Sequence, residues 1–426
     1  MNFWQTLAKP WFALAPMDDV SDVVFRRTLL RAGEIARRDF ANVGQNFAQN
    51  PTLRPDIFFT EFTNAASFCS EKGKISTRGR LTFTPDENPI VAQIWGTNPD
   101  NFREMTAAMF AQGFAGVDIN MGCPDKTVVK NGAGSGLIDN PDLAIELIRA
   151  AKLGAADFAR TRDRVVPTAT EKSKQNSQVD SAAALRSAQN DEFENFAKNS
   201  TANISDFPIS VKTRLGAHKV DEFREWLPKL FREHPDNLTI HLRTRKEMSK
   251  VPAHFELIPE ILQMRNKISP QTFLTINGDI ISRKQAAEIR EKYVYHDEKT
   301  GEISRVDGFM VGRGVFANPF CFANIENPTR EELFELLNYH LDQFDEFREI
   351  TLDDSRKSAR NPQDESVNDA NYDKVFARRF DPLKHFFKIY VNGFDGAKEL
   401  REQMMAAKTT AEVREILKTF RENSFR

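Results

Sequence analysis

Short apolar runs recur through the first three quarters of the chain, and each gives way to polar residues at its end. The runs are WFALAPM (11–17), DIFFTEF (56–62), PIVAQIW (89–95), GVDINMG (116–122), PISVKTRL (208–215), LTIHLRT (238–244), TFLTING (272–278) and GFMVGRG (308–314). Nearly continuous apolar character is the pattern of parallel strands buried on both faces. Helical stretches lie between most of them. Asn98-Pro99 opens one helix that Gly113 is expected to close, and Asn140-Pro141 opens another that Gly154 is expected to close. Asn as cap, Pro in the first turn and Gly past the end is the usual asymmetry of helix boundaries. Eight strands alternating with helices predict an α/β fold, a (β/α)8 TIM barrel. A doubly wound open sheet would rarely gather all eight strand ends at one crevice.

The placement of the polar residues sharpens this reading. Met17, Glu61, Gln93, Asn120, Lys212, His241, Asn277 and Arg313 fall at or just past the ends of the eight runs. A barrel builds its active site at that end, so these residues would converge on one mouth.

Three segments interrupt the alternation. Residues 157–206 are polar and mixed in charge, and predict a surface insertion on a connection that runs away from the mouth. Residues 293–305 predict a small hairpin or extended loop, and 353–372 a loop or linker. From about Pro328 the periodicity is helical, as in EELFELLNYHLDQFDEF and AEVREILKTF. The expected division is therefore a catalytic barrel over 1–327 and a small all-α domain over 328–426.

Composition bounds the partners. Fifty-nine basic against 61 acidic residues leave a net charge of −2, which excludes a uniformly basic nucleic-acid binder. Residues 374–426 nevertheless hold 12 Lys and Arg against 7 Asp and Glu, a net of +5. Binding to phosphates depends on where cations cluster, so a basic tail is compatible with docking RNA. Three cysteines, none in a CxxC pair, give neither a disulfide framework nor a structural zinc site. No window approaches the roughly 18 apolar residues of a membrane span, and the N-terminus lacks the pattern of a signal peptide. A monomeric cytoplasmic protein without metal is expected.

The richest stretch for chemistry is DINMGCPDKTVVKNGAGSGLIDNP (118–141), where Cys123 directly follows a strand, between Gly122 and Pro124. A thiol with an ordinary pKa of about 8.5 is mostly protonated at neutral pH, so it can donate a proton as well as attack. Asn277-Gly278-Asp279 ends the seventh strand and Gly312-Arg313-Gly314 the eighth, the two positions that commonly hold a phosphate in this fold. Gln93, Lys212 and His241 would then surround the rest of a cofactor. Lys212 could stabilise the negative charge of a reduced flavin, or form a structural ion pair with Glu61.

These residues carry a resemblance to the tRNA-dihydrouridine synthase family, flavin enzymes that reduce uridine in tRNA. The matching segments are LAPMDDVSDVVFR, TEF, VAQIWG, DINMGCP with KNGAGSGLI, VKTRLG, IHLRT, NGDI and DGFMVGRGVFANPF, in family order over about 300 residues. DPLKHFFKIYVNGFDGAKELR (381–401) resembles the family's helical RNA-binding domain. The resemblance implies that Cys123 is the general acid. It implies that Pro16, Met17, Asp18, Gln93, Lys212, His241, Asn277, Gly278, Asp279, Gly312 and Arg313 hold FMN, and that Asn120 and Arg214 contact a flipped uracil. NADPH or NADH would reduce the flavin, hydride would pass to C6 of the uracil, and Cys123 would protonate C5. Two departures stand out: Leu242 replaces the glycine usual after the histidine of the sixth strand, and RTRKEMSKVPAHF (243–255) differs from the commonest family form. The competing readings are a small-molecule FMN reductase of the dihydroorotate-dehydrogenase type and an RNA-binding protein whose barrel has lost activity.

Overall fold

The computed structural model describes residues 2–42, 53–165, 206–359 and 380–424. Eight parallel strands carry the fold: β1 (Trp11–Leu14), β2 (Phe58–Phe59), β3 (Ile90–Trp95), β4 (Gly116–Met121), β5 (Ile209–Arg214), β6 (Asn237–His241), β7 (Phe273–Asn277) and β8 (Gly308–Val311). Their spatial order is β1-β8-β7-β6-β5-β4-β3-β2. A bridge between Ala13 and Ile57 joins β1 to the approach of β2 and closes the sheet into a barrel. The predicted architecture is therefore observed.

The runs that read as continuously apolar alternate once they are folded. Leu14, Ile94, Ile119, Val211, Ile240 and Ile276 face outward into the core shared with the helices, whereas Trp11, Ala13, Phe59, Val91 and Met310 fill the barrel interior with Trp4. The polar interior residues satisfy one another. Trp11 Nε1 donates to Thr275 Oγ1 at 3.1 Å, and that hydroxyl donates to Asn237 Oδ1 at 2.7 Å. Burying these groups is tolerable because each has a partner.

The longer helices around the strands are α1 (Val23–Asn42), α2 (Glu71–Leu81), α3 (Pro99–Ala111), α4 (Pro141–Val165), α5 (Phe223–Arg232), α6 (Ile258–Ile268) and α7 (Arg283–Lys292). Asn98 caps α3 as expected, accepting from the backbone of Asp100 and Asn101. Gly154 does not end α4, which continues to Val165. A Cβ at Gly154 would lie 2.2 Å from Arg103 O and 2.9 Å from Thr106 Cβ on α3. That glycine exists for close helix–helix approach rather than for a stop. Residues 157–165, expected to begin a surface insertion, are thus helical, and Phe158 packs on Phe110 and Phe207 with centroids 6.2 and 5.1 Å away. The remainder of that segment up to Asp206, residues 166–205, lies outside the described residues.

The hairpin expected near 293–305 is present, pairing Tyr295–His296 with Ile303–Ser304. Beyond the barrel come α8 (Arg330–Ala359), α9 (Ala397–Ala406) and α10 (Thr410–Ser424). α8 carries helix through 353–359, where a loop was expected, and 360–379 lies outside the described residues. The tail rests on α1. Phe25 packs on Phe386 at 4.9 Å, Arg31 pairs with Glu335 at 3.0 Å, and Tyr390 shares a 2.6 Å hydrogen bond with the buried His340. Among the described residues no helix is long and apolar enough to cross a membrane.

Candidate active site

Period-two alternation decides which side chains reach the mouth. Gln93, Asn120, Lys212, Arg214, His241 and Asn277 all occupy inward positions, and strand register sets Asn120 beside Lys212, Arg214 beside His241, and His241 beside Asn277. A cavity of about 320 Å³ opens over the ends of β7 and β8. Of the predicted cofactor residues, Pro16, Met17, Lys212, His241, Asn277, Gly278, Asp279, Gly312 and Arg313 all line it.

The cavity gathers tight backbone turns and cations. Gly278 takes φ 115° and Asp279 φ 53°, conformations that side chains other than glycine adopt at a cost. A Cβ at Gly314 would lie 2.6 Å from Ile280 O, so the two strand-end loops touch backbone to backbone. Arg313 stands 61% exposed at the rim, its guanidinium 3.6 Å from Asp279 Oδ1. Asp279 also forms an ion pair with Arg243, whose Nε donates to Val251 O at 2.5 Å. Arg243 Nη1 is buried and finds no hydrogen-bond partner among the described residues. It lies 3.6 Å from where a Cβ on Gly278 would be. A buried, half-satisfied guanidinium beside a glycine window is what an anionic group would complete. Arg243 shares the inward parity of His241, but nothing in the sequence sets it apart from the arginines beside it.

The cations perturb one another. Lys212 Nζ donates to Asn277 Oδ1 at 3.1 Å, and Asn277 Nδ2 donates to Met310 O at 2.8 Å. Burial, helped by the charge of Arg214, lowers the Lys212 ammonium to about 8. Burial and the charges of Arg214 and Lys212 hold His241 well below its ordinary pKa, which keeps the imidazole neutral. The alternative ion pair between Lys212 and Glu61 does not form, because Glu61 pairs with Arg80 at 3.3 Å.

Cys123 sits next to this cavity and is held through its backbone. Asn120 Oδ1 accepts from the N–H groups of Gly122 and Cys123 at 3.1 and 2.9 Å. Ser135 donates to Cys123 O from both its amide, at 3.0 Å, and its hydroxyl, at 2.8 Å. Asn120 is anchored in turn by Gln93 Oε1 at 2.9 Å, and Gln93 Nε2 donates to the buried Asp118 at 2.7 Å. Gln93 is fully buried beneath the mouth and does not line the cavity; its amide orients the Cys123 turn. Burial pushes the Cys123 thiol up, so it keeps its proton at neutral pH.

Two further predicted residues stand differently from the rest. Asp18 lies at the rim outside the cavity, in an ion pair with Arg80. Arg214, nearly buried, spends its guanidinium on the carbonyls of Gly122, Thr244 and Met248 at 2.7, 3.1 and 3.1 Å.

Residues 13–157 and 173–425 match the family described as Dihydrouridine synthase (Dus). The chain belongs to the dihydrouridine synthase family. It is 43% identical over 420 residues to a probable tRNA-dihydrouridine synthase 2 of Bacillus subtilis, covering 98% of this chain and 96% of that protein. It is 41% identical over 423 residues to a probable tRNA-dihydrouridine synthase of Staphylococcus epidermidis, at 98% and 96% coverage. A probable tRNA-dihydrouridine synthase of Staphylococcus aureus is 40% identical over 420 residues, at 98% and 95% coverage. Against the family pattern, Leu242 points outward into the hydrophobic core and leaves the cavity uncrowded. The divergent 243–255 segment folds back on the Cys123 loop, where Arg245 donates to Ser135 O at 3.0 Å and pairs with Asp139 at 2.6 Å.

Proposed function

We propose that this enzyme reduces uridine in tRNA to 5,6-dihydrouridine, with FMN in the cavity at the ends of β7 and β8 and NADPH or NADH as reductant. The observation that carries this reading is the juxtaposition of a cationic, glycine-lined cavity, a half-buried lysine and a protonated thiol at one barrel mouth. Arg313 and the backbone around Gly278 and Gly314 would hold the phosphate, with the charge of Arg243 buried behind Gly278, and Lys212 with neutral His241 would face the ring. When bound, FMN would supply hydride to C6 of the uracil. Cys123, its turn fixed by Asn120 and Ser135, gives its proton to C5, so two hydrogens are added and the C5–C6 double bond is lost. Asn120 and Arg214 shape the wall on which the uracil would rest; with its guanidinium committed to three carbonyls, Arg214 acts chiefly by keeping that wall in place. A base inside folded RNA must be extruded to reach such a pocket.

The basic stretch that begins in the tail supports tRNA as the partner, and the family match running through residue 425 joins that tail to the barrel. No specific observation favours a small-molecule pyrimidine as substrate. Cytoplasmic location and a monomeric state complete the proposal. The test incubates the purified protein with FMN, NADPH and tRNA from a strain lacking this enzyme, followed by nucleoside mass spectrometry. Uridine gaining two hydrogens is the expected result, and unaltered tRNA together with a protein that cannot retain FMN would overturn the reading.

A further inference from the structure

A second cavity, of about 230 Å³, lies between the barrel mouth and the tail helices. The turn at Met17–Asp19 divides it from the first: Met17 lines the cavity over β7 and β8, and Asp19 lines this one. Asp18, between them, bears electrostatically on the Cys123 thiol and shares Arg80 with Asp19 and Glu61. The second cavity is therefore adjacent to the reacting centre.

Its lining is of two kinds. The tail contributes apolar walls from Phe344, Leu383 and Phe386, and the barrel contributes the carboxylates of Asp19, Asp22 and Glu61 together with Arg80. Carboxylates repel a phosphate but accept N–H groups, and a guanidinium donates to a carbonyl. Gly79 lies inside α2, where glycine weakens a helix. Nothing lies within 4 Å of where its Cβ would be, so no packing contact explains it. Gly73 in the same helix differs, since a Cβ there would come within 1.8 Å of Ser67 O.

We propose that this cavity is a second nucleobase site, taking an unpaired guanine of the same RNA whose uridine occupies the mouth. Guanine presents N1–H and N2–H₂ side by side, a pair that one carboxylate accepts together, and an O6 that a guanidinium can meet. One of its faces would lie against the apolar wall of Phe344, Leu383 and Phe386, the kind of surface on which unstacked RNA bases rest. Uracil and adenine do not offer that donor pair. The inference rests on tRNA being the substrate, and it gives this site a share in choosing which uridine is reduced.

The test uses the flavin-loaded full-length protein. Saturation-transfer NMR with guanosine, cytidine, adenosine and uridine reads the cavity directly, without any need for turnover. Guanosine should bind, and its signal should vanish in Gly79→Phe, whose side chain grows into open space. In steady state with tRNA, Gly79→Phe should raise KM about tenfold, the loss of one stacked base. Ser76→Phe, on the same wall, provides a second plug, and thermal melting shows that each variant is folded. Absence of guanosine binding to the wild-type protein overturns the site, as does equal binding in both folded, plugged variants. Wild-type protein that never forms dihydrouridine would instead overturn the substrate reading, while the guanosine titration still decides the cavity.

Discussion

Lys212 Nζ donates to Asn277 Oδ1 at 3.1 Å, so the direct partner of this half-buried cation is a neutral amide. A cation in that position is poised for an anionic ligand. Its pKa, lowered by burial to about 8, means that the ammonium is fully charged only below that pH in the unliganded protein. The FMN phosphate, an anion held in the same cavity, would raise that pKa, and linkage then fixes the sign: affinity is highest below about pH 8 and falls as pH rises above it, by at most about tenfold per unit for one proton. Flavin fluorescence quenching by the apoprotein across that range should show the decline. Lys212→Met should bind more weakly and flatten it.

The Cys123 thiol is held protonated by burial and fixed by the Asn120 and Ser135 contacts. Cys123→Ala should leave flavin bound and reducible by NADPH, while dihydrouridine formation drops by about 10²–10⁴-fold, the usual worth of a positioned acid. Single-turnover kinetics separate the two half-reactions. Equal loss in both would assign the residue to folding rather than to proton transfer.

Arg313 and Arg243 share Asp279 but differ in exposure. Arg313→Ala removes an exposed cation and should weaken FMN binding by about 1.5–3 kcal/mol, the scale of a charge-assisted hydrogen bond, with little change in melting. Arg243→Met removes a buried one, and should lower both FMN retention and the melting midpoint. Equilibrium dialysis alongside calorimetry distinguishes the two.

The barrel was legible because each strand advertises itself twice, by apolar content and by a polar end. Of the eight strand-end residues, Met17, Lys212, His241, Asn277 and Arg313 line one cavity, whereas Gln93 and Asn120 lie outside it and Glu61 lines the second. Gln93 illustrates why: an inward position one layer below the mouth has the same sequence appearance as one at the mouth. Arg243 was overlooked because what marks it, a buried nitrogen with no hydrogen-bond partner among the described residues, is a property of packing and not of pattern. Gly154 shows the limit of boundary rules: a glycine that admits a neighbouring helix and a glycine that ends its own are identical in sequence.

The same glycine gives a stability prediction. Gly154→Ala puts a methyl group 2.2 Å from Arg103 O, which α3 and α4 can relieve only by moving apart. Overpacking of this kind costs about 1–3 kcal/mol. Gly79→Ala meets nothing within 4 Å and should instead stabilise α2 by about 0.5–1 kcal/mol. Denaturant midpoints of the two variants should move in opposite directions.

Glu61 sets the pH dependence near the mouth. Burial, reinforced by the charge of Asp22, raises its carboxyl from the ordinary 4.5 to about 7, despite the opposing charge of Arg80. The folded protein therefore holds this proton more tightly than the unfolded chain does. The resulting stabilisation is complete below about pH 4.5 and lost as pH rises through 7, so this group takes away about 3 kcal/mol of stability between pH 4.5 and neutral pH. Other groups titrate in the same range, and subtraction isolates this one. Unfolding free energies of the wild type minus those of Glu61→Gln, measured across that interval, should decline with pH by roughly that amount. A flat difference curve would show that Arg80 already neutralises the carboxylate in the folded protein.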